Sequence, residues 1–234
     1  MTSSEFDRVD LTRAAAHLLD GAGSCTVALK DSTNPADVVT PFAHTRAGAL
    51  LRVASVPQEG SALAETAVGR AVVVVIDEFA PGLFSGPAAR VHVGSIHCRG
   101  VVVAARPLDH GVVDLDLDLG ALAVSRLGAS AVIDPQYLQD VSCDPVSGAA
   151  YDVAGEVLAK FAAELAAFCG RCVDSSERLD APWKPIVLGV DAAGMDVLAQ
   201  TRLGARVTRV PFREHAATAD AAVREVARAV GAAA

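Results

Sequence analysis

The chain has 234 residues, 52% hydrophobic and 21% charged, which is enough to bury a substantial core and excludes a disordered protein. Its net charge of −8 argues against a nucleic-acid partner, because binding a phosphate backbone needs clustered Lys and Arg. The longest apolar stretch, 71–76, is too short to cross a bilayer, and the acidic start lacks the features of a signal peptide. We therefore expect a cytoplasmic protein with no membrane partner.

The first half of the chain predicts one helix followed by short strands. Leu11, Ala15 and Leu18 share one face of a helix over 11–19. Strands are predicted over 24–29, 38–43, 49–54, 70–77, 90–99, 101–106 and 112–119, with a turn over 45–48 and a short helix over 61–69. Short strands at this spacing, with few helices, are typical of a β-barrel or a sandwich.

The second half predicts a smaller α+β arrangement. Residues 120–139 show no clear pattern, and 141–150 have the composition of a linker, so we place a domain boundary near residue 146. A long helix is predicted over 151–169. The remaining predicted elements are strands over 186–190, 195–200 and 207–212 and a final helix over 221–230.

The closing stretch carries the most specific motif. Val190-Asp-x-x-Gly-Met-Asp-Val is followed by Arg209-Val-Pro-Phe and then by the amphipathic helix. This order resembles the small C-terminal domain of the haem-utilisation (HugZ-like) split-barrel proteins, which are related to the pyridoxamine-phosphate-oxidase-like flavoproteins. The resemblance implies an α+β protein with a six-stranded split β-barrel over 1–145 and a small α+β domain over 146–234. It also implies a homodimer with the ligand site between subunits.

For function, the resemblance implies binding of haem or a related tetrapyrrole, for storage, transfer or degradation. Haem iron needs an axial imidazole in an apolar pocket. His44 ends the second predicted strand, and Arg46 lies close enough in sequence to pair with a propionate. His215 follows the Arg209 motif, and related haem-degrading proteins take their ligand from near the C-terminus. We predict that haem is bound by four residues: His44, Arg46, Arg209 and His215. His44 and His215 are the candidate iron ligands.

The stretch Val53 to Gly69 argues against FMN. Related flavoproteins hold the FMN phosphate with basic and hydroxyl side chains from this region. Here it contains no Lys or Arg, and Ser55, Ser61 and Thr66 alone are a poor match for a dianion. FMN is therefore not expected.

Two alternatives to a haem protein remain open. One is an FMN-dependent oxidoreductase of the pyridoxamine-phosphate-oxidase-like group with altered phosphate anchors. The other is a cofactor-free regulatory module that binds a partner protein of the tetrapyrrole pathway, as a relative that binds glutamyl-tRNA reductase does. Whether the protein is an enzyme stays open.

Other polar patterns are interpreted as structural. Asp114, Asp116 and Asp118 alternate along one strand and predict a solvated face, while Asp191 and Asp196 bracket a turn. The odd number of cysteines fits reduced thiols. The pair 169 and 172 lies at the end of a predicted helix, where the dipole disfavours a thiolate, and no second pair completes a zinc site. We expect neither a thioredoxin-like dithiol nor a metal there.

Overall fold

A computed structural model describes residues 11–65, 67–81, 90–126, 128–172, 184–202 and 204–231. The helices are α1 (Leu11–Leu19), α2 (Ala62–Glu65), α3 (Ala150–Cys172) and α4 (Ala219–Val230). The strands are β1 (Ser24–Leu29), β2 (Val38–Val39), β3 (Ala43–Ala47), β4 (Leu50–Ser55), β5 (Ala71–Pro81), β6 (Arg90–Pro107), β7 (Val113–Leu119), β8 (Leu122–Arg126), β9 (Ala129–Ile133), β10 (Ile186–Asp191), β11 (Gly194–Thr201) and β12 (Gly204–Pro211).

The larger sheet is antiparallel and strongly curled into a half-barrel. In the described ranges it has nine strands, and its main path runs β2-β1-β5-β6-β7-β4-β3. β6 is 18 residues long, pairs with β8 through its first half and with β7 through its second, and β9 adds to β8. A register shift between Val102 and Ala104 marks a bulge in β6, and bulges bend strands in this way.

The core of this sheet is built from alternate strand residues. Val72, Val74 and Ile76 of β5 and Leu115 and Leu117 of β7 are fully buried, as the period of two along a strand requires. Helix α1 packs its leucines and alanines against the same core. Burial of each Val or Leu side chain contributes about 1.5–3 kcal/mol, so this core is the main stabilising feature of the sheet.

The smaller sheet has the order β10-β11-β12, counted over the described residues. A two-residue turn, Ala192-Ala193, joins β10 to β11. Helices α3 and α4 pack on a second hydrophobic core with this sheet. Helix α4 begins after Thr218, whose Oγ1 accepts a hydrogen bond from the Ala221 amide at 3.2 Å, and it ends at Gly231 with φ +78°.

Two sequence predictions about the barrel strands were wrong, and two strands were not predicted. Strands β8 and β9 were missed, because residues 120–133 include many small and polar residues and β9 is mostly exposed. The predicted turn over 45–48 lies at Gly48-Ala49 instead, since Gly48 has φ +65°, and this places Arg46 within β3. The predicted break at Gly100 is absent. A Cβ there would lie 2.7 Å from the Asp118 carbonyl oxygen, so the glycine permits close strand approach instead.

Residue contacts divide the chain into two units. The barrel unit holds residues up to Glu78 together with Gly94–Cys143, and the C-terminal unit holds Phe79–Val93 with Asp144 onwards. The domain boundary near residue 146 stays a prediction. No helix in the described ranges is long and apolar enough to cross a membrane.

Candidate functional site

His44 lies on β3 opposite Val53 of β4, and its ring is buried in the barrel unit. Its Nε2 lies 2.8 Å from the Leu18 carbonyl oxygen, which can only accept, so Nε2 donates this hydrogen bond. Burial lowers the pKa of His44, and hydrogen bonds to the backbone of Leu18 and Ala22 offset part of that effect. The ring is therefore neutral and holds the C-terminal end of α1.

Arg46, two residues further along β3, forms a buried ion pair with Asp20. Nε and Nη2 donate to the two Asp20 carboxylate oxygens at 2.6 and 2.7 Å, and the side chains are only 6% and 2% exposed. Nη1 donates to the Leu138 carbonyl at 2.6 Å, and Nη2 also reaches the Ser142 carbonyl at 3.3 Å. The hydrogen bonds to Asp20 raise the pKa of Arg46 above its ordinary value. A haem propionate would have to displace Asp20 to reach this guanidinium.

A second buried ion pair, which the sequence did not predict, lies against α1. Arg126 of β8 donates from Nε and Nη2 to Glu78 at 3.1 and 3.3 Å, and His17 Nε2 lies 4.0 Å from Glu78 Oε1. Glu78 lies just beyond the strand predicted over 70–77, and it continues the inward alternation of Val74 and Ile76 on β5. That alternation was the available signal for its burial.

We term the polar residues packed around α1 the α1 polar cluster. Its members are His17, Asp20, His44, Arg46, Glu78 and Arg126. The two carboxylates are matched by two guanidinium groups, as buried charges require. This cluster thus anchors α1 on the barrel. Two of the predicted haem-binding residues, His44 and Arg46, belong to it.

Arg209 of β12 lies in a partly exposed network in the C-terminal unit. Its Nη2 is 2.7 Å from both oxygens of Asp191, and its Nη1 is 3.0 Å from Oδ1 of Asp196. Burial opposes the charge, but the two carboxylates outweigh it and raise the pKa of Arg209. Asp191 also accepts from the Ala193 amide at 2.8 Å, so its predicted turn role is confirmed. The Arg209 side chain is 37% exposed.

His215 lies on a fixed segment between β12 and α4. The Ala216 amide donates to the Ala192 carbonyl at 2.8 Å. The buried carboxylate of Glu225 accepts from the amides of Arg213 and Glu214 at 2.9 and 3.4 Å. His215 itself is exposed. The segment therefore presents an accessible imidazole from a backbone that is hydrogen-bonded on both sides of it.

The start of α2, within the stretch from Val53 to Gly69, lies against the carboxylate of Asp37. Asp37 accepts from the Ala62 amide at 2.7 Å, at the start of α2, and from Ser61 Oγ at 3.2 Å. A hydrogen bond from Ser32 lowers the pKa of Asp37. A dianionic phosphate placed here would be repelled by this charge. Thr66, the third predicted hydroxyl, lies outside the described residues.

The prediction that Asp114, Asp116 and Asp118 form a solvated face of β7 is wrong for Asp116. Its carboxylate is buried between Arg52 Nε of β4 at 2.8 Å and Arg106 Nη2 of β6 at 2.7 Å. The hydrogen bond from Arg52 lowers the pKa of Asp116. Asp114 is half-buried and Asp118 is exposed. The pattern of β7 alone could not predict this, because both arginines come from neighbouring strands.

The cysteines are all free thiols. Cys25, Cys98 and Cys169 are buried, and Cys143 and Cys172 are exposed. Across the part of the chain that the structure describes, no group of three or more His, Cys, Asp or Glu side chains is arranged to hold a metal ion.

Neither a family model nor a curated protein matches the chain. Among solved structures, the chain is similar to a heme-binding protein from Mycobacterium smegmatis, at 16% identity and a TM-score of 0.51 over 96% of this chain and 98% of that one. The fold is a split β-barrel. A small α+β domain follows the split barrel.

Two weaker similarities were also found. A protein of unknown function from Agrobacterium tumefaciens has 13% identity and a TM-score of 0.38 over 99% of this chain and 97% of that one. The secreted protein Hcp3 from Pseudomonas aeruginosa has 12% identity and a TM-score of 0.35 over 47% of this chain and 97% of its own.

Proposed function

We propose that the protein binds haem or a related tetrapyrrole, for storage, transfer or degradation, and does so without FMN. The observation that carries the proposal is the full-length similarity in fold to a heme-binding protein. The choice of ligand is tested directly by the haemin titration below. The five free thiols support a reducing compartment, and we propose the cytoplasm.

We propose His215 as the axial ligand in preference to His44. An axial imidazole must offer a nitrogen lone pair to the iron. His44 is buried and its Nε2 is engaged by Leu18, whereas His215 is exposed on a fixed segment. For the propionates, Arg209 fits better than Arg46, because its side chain is 37% exposed and that of Arg46 is 6% exposed. Arg209 would exchange part of its pairing with Asp191 for the propionate.

A haemin titration of the purified protein, followed by its absorption spectrum, tests both parts of the proposal. We expect a saturable Soret shift that is lost or strongly altered in His215→Gln. The matched control is His97→Gln, which changes an exposed histidine on β6 of the barrel unit and should leave the titration unchanged. Unsaturable haemin binding would reject the function. Saturable binding that is equal in wild type and His215→Gln would reject only the assigned ligand.

The proposed absence of FMN is supported by the charge near α2. Asp37 places a carboxylate at the first amides of that helix, and residues 53–69 contain no Lys or Arg. The flavin alternative predicts a yellow protein that releases FMN on denaturation. We expect the denatured supernatant to contain no flavin fluorescence, and its presence in equimolar amount would favour the oxidoreductase.

A cofactor-free regulatory module is the second candidate, and the packing of the barrel favours it. The inner side of the sheet is filled by the protein's own side chains, among them Leu51, Val53, Leu115 and Leu117, all at 0% exposure. The candidate predicts no saturable haemin binding. It also predicts that the protein elutes together with an enzyme of tetrapyrrole synthesis, such as glutamyl-tRNA reductase, in size-exclusion chromatography.

We propose that the protein is a homodimer that associates through the outer face of β6 and β7. Val101 and Val103 are 42% and 44% exposed there, Val101 lies opposite exposed Asp118, and Arg106 is exposed further along β6. A face with apolar area and both charges can pair with its own copy about a two-fold axis. Sedimentation should show a dimer for wild type and for Val132→Asp, a change on exposed β9, and a monomer for Val101→Asp. A dimeric Val101→Asp would place the interface elsewhere.

A further inference from the structure

The last turn of α3 holds two cysteines on one face. Cys169 and Cys172 are three residues apart in the helix, which places their Cβ atoms about 5–6 Å from each other. A disulfide needs a Cβ separation of about 3.5–4.5 Å, so the turn must tighten by only about 1–2 Å. The final carbonyl groups of a helix have no partner further along it, so hydrogen bonds within α3 hold this turn less than they hold the helix interior.

Gly170 adds freedom to this turn. It lies between the two cysteines, and a Cβ at its position would meet nothing within 4 Å. No close packing therefore requires a glycine there. Its main local effect is a backbone that bends more readily than one with alanine.

The two thiols have unequal access to solvent. Cys169 is 0% exposed in the core of the C-terminal unit, and Cys172 is exposed at the helix end. Burial raises the pKa of Cys169 to about 12, and the neighbouring Cys172 adds to that shift. An external reagent therefore reaches Cys172 first, and Cys169 reacts only with a group already attached to Cys172.

We propose that Cys169 and Cys172 are a modification site for low-molecular-weight disulfides, which convert them to a reversible internal disulfide across the last turn of α3. The Cys172 thiolate attacks one sulfur of the small disulfide, and the other sulfur leaves as a thiol. Cys169 then loses its proton and attacks Cys172 Sγ, which expels the second small thiol. The protein loses two electrons and two protons, and the small disulfide gains both.

The position of Cys169 and Cys172 at the C-terminal end of α3 affects how readily the two thiols are oxidised. Oxidising Cys-x-x-Cys proteins stabilise their reduced form through a low-pKa thiolate, as at a helix N-terminus. At the C-terminus of α3 the dipole has the opposite sign, so the thiolate gains nothing from it. The disulfide is thus slow to form. This modification goes beyond the proposed tetrapyrrole binding and does not depend on it.

The test is equilibration of the Cys143→Ser protein with oxidised and reduced glutathione, followed by acid quenching and mass spectrometry. This background removes the other exposed thiol. We expect a glutathione adduct on Cys172 that appears first and then decays to an internal disulfide. Cys169→Ser in the same background should keep the adduct, and Cys172→Ser should gain neither product. The proposal would be overturned by an adduct that persists on Cys172 while the Cys169 thiol still reacts with an alkylating reagent after denaturation.

Gly170→Ala in the same background measures the bending of the turn. Alanine stiffens the helix, so the ratio of internal disulfide to dithiol should fall about five-fold, the factor that corresponds to the helix preference of Ala over Gly. An unchanged ratio would contradict the role given to this glycine.

Discussion

Each unit of the protein holds one of the predicted haem-contacting arginines in an ion pair, yet the two pairs differ in burial. The Arg46 and Asp20 side chains are 6% and 2% exposed, whereas Arg209 is 37% exposed beside Asp191 and Asp196. Removing one partner of a buried pair leaves an uncompensated charge, but solvent screens an exposed pair. Arg46 is therefore part of the structure of the barrel, and Arg209 is the one a ligand can reach.

The largest effect is expected for Arg46→Met. It leaves the Asp20 carboxylate buried without its guanidinium and also removes donors from the Leu138 and Ser142 carbonyls. We expect a loss of about 3–5 kcal/mol in the free energy of unfolding, measured by urea denaturation. The double variant with Asp20→Leu should recover part of this loss. A loss below 1 kcal/mol would mean that the buried pair behaves like a surface pair.

Gly194→Ala perturbs the exposed network through its backbone. The new Cβ would lie 2.7 Å from the Val210 carbonyl oxygen and 3.1 Å from Arg209 Cζ, so β12 must shift. We expect a loss of about 1–3 kcal/mol in the same assay. Gly155→Ala is the control, because nothing lies within 4 Å of its Cβ position in α3, and it should be neutral or stabilising. Equal effects of the two changes would contradict the crowding at Gly194.

Buried His44 should make the stability of the barrel unit depend on pH. Burial lowers the pKa of His44 in the folded state, so the unfolded chain binds its proton first as pH falls. The contribution of the neutral ring is present above about pH 6.5 and is lost as pH falls towards the folded-state pKa, at up to about 1.4 kcal/mol per pH unit. Denaturation of wild type and His44→Gln across this range should show a shallower slope for the variant.

The smallest effect is expected for Arg209→Gln. Because more than a third of the Arg209 side chain is exposed, its ion pairs should contribute about 1 kcal/mol or less. High salt should reduce the difference between wild type and variant, since it screens exposed charges. A large, salt-independent loss would show that Arg209 is as structural as Arg46.

The sequence predicted the elements whose local pattern is strong. Helix α1 and strand β1 have the predicted bounds, and the hairpin of β10 and β11 with α4 lies where the motif places it. Strands β8 and β9 lack such a pattern because they hold small or exposed residues, so only pairing with β6 defines them. Non-local pairing of this kind is not encoded in local periodicity.

The site residues show the same limit. His44 and Arg46 were predicted from their position near a strand end, but their partners are Leu18 of α1 and Asp20 just after it, each 26 residues away. Sequence spacing shows neither that contact nor the burial that follows from it. His215 differs, because its exposure follows from its position between a strand that ends at a proline and a polar helix start. The prediction of His215 as a ligand stays open to the haemin titration.

The position of β7 has a consequence for the order of folding. Arg106 is 10 residues from Asp116 and reaches it across the β6–β7 hairpin, whereas Arg52 of β4 is 64 residues away. Closing the short loop costs less entropy, so the hairpin should form before β4 joins it. Asp116 then forms its ion pair with Arg106 first and its ion pair with Arg52 later. Stopped-flow kinetics should show Arg106→Gln slowing folding and Arg52→Gln mainly accelerating unfolding.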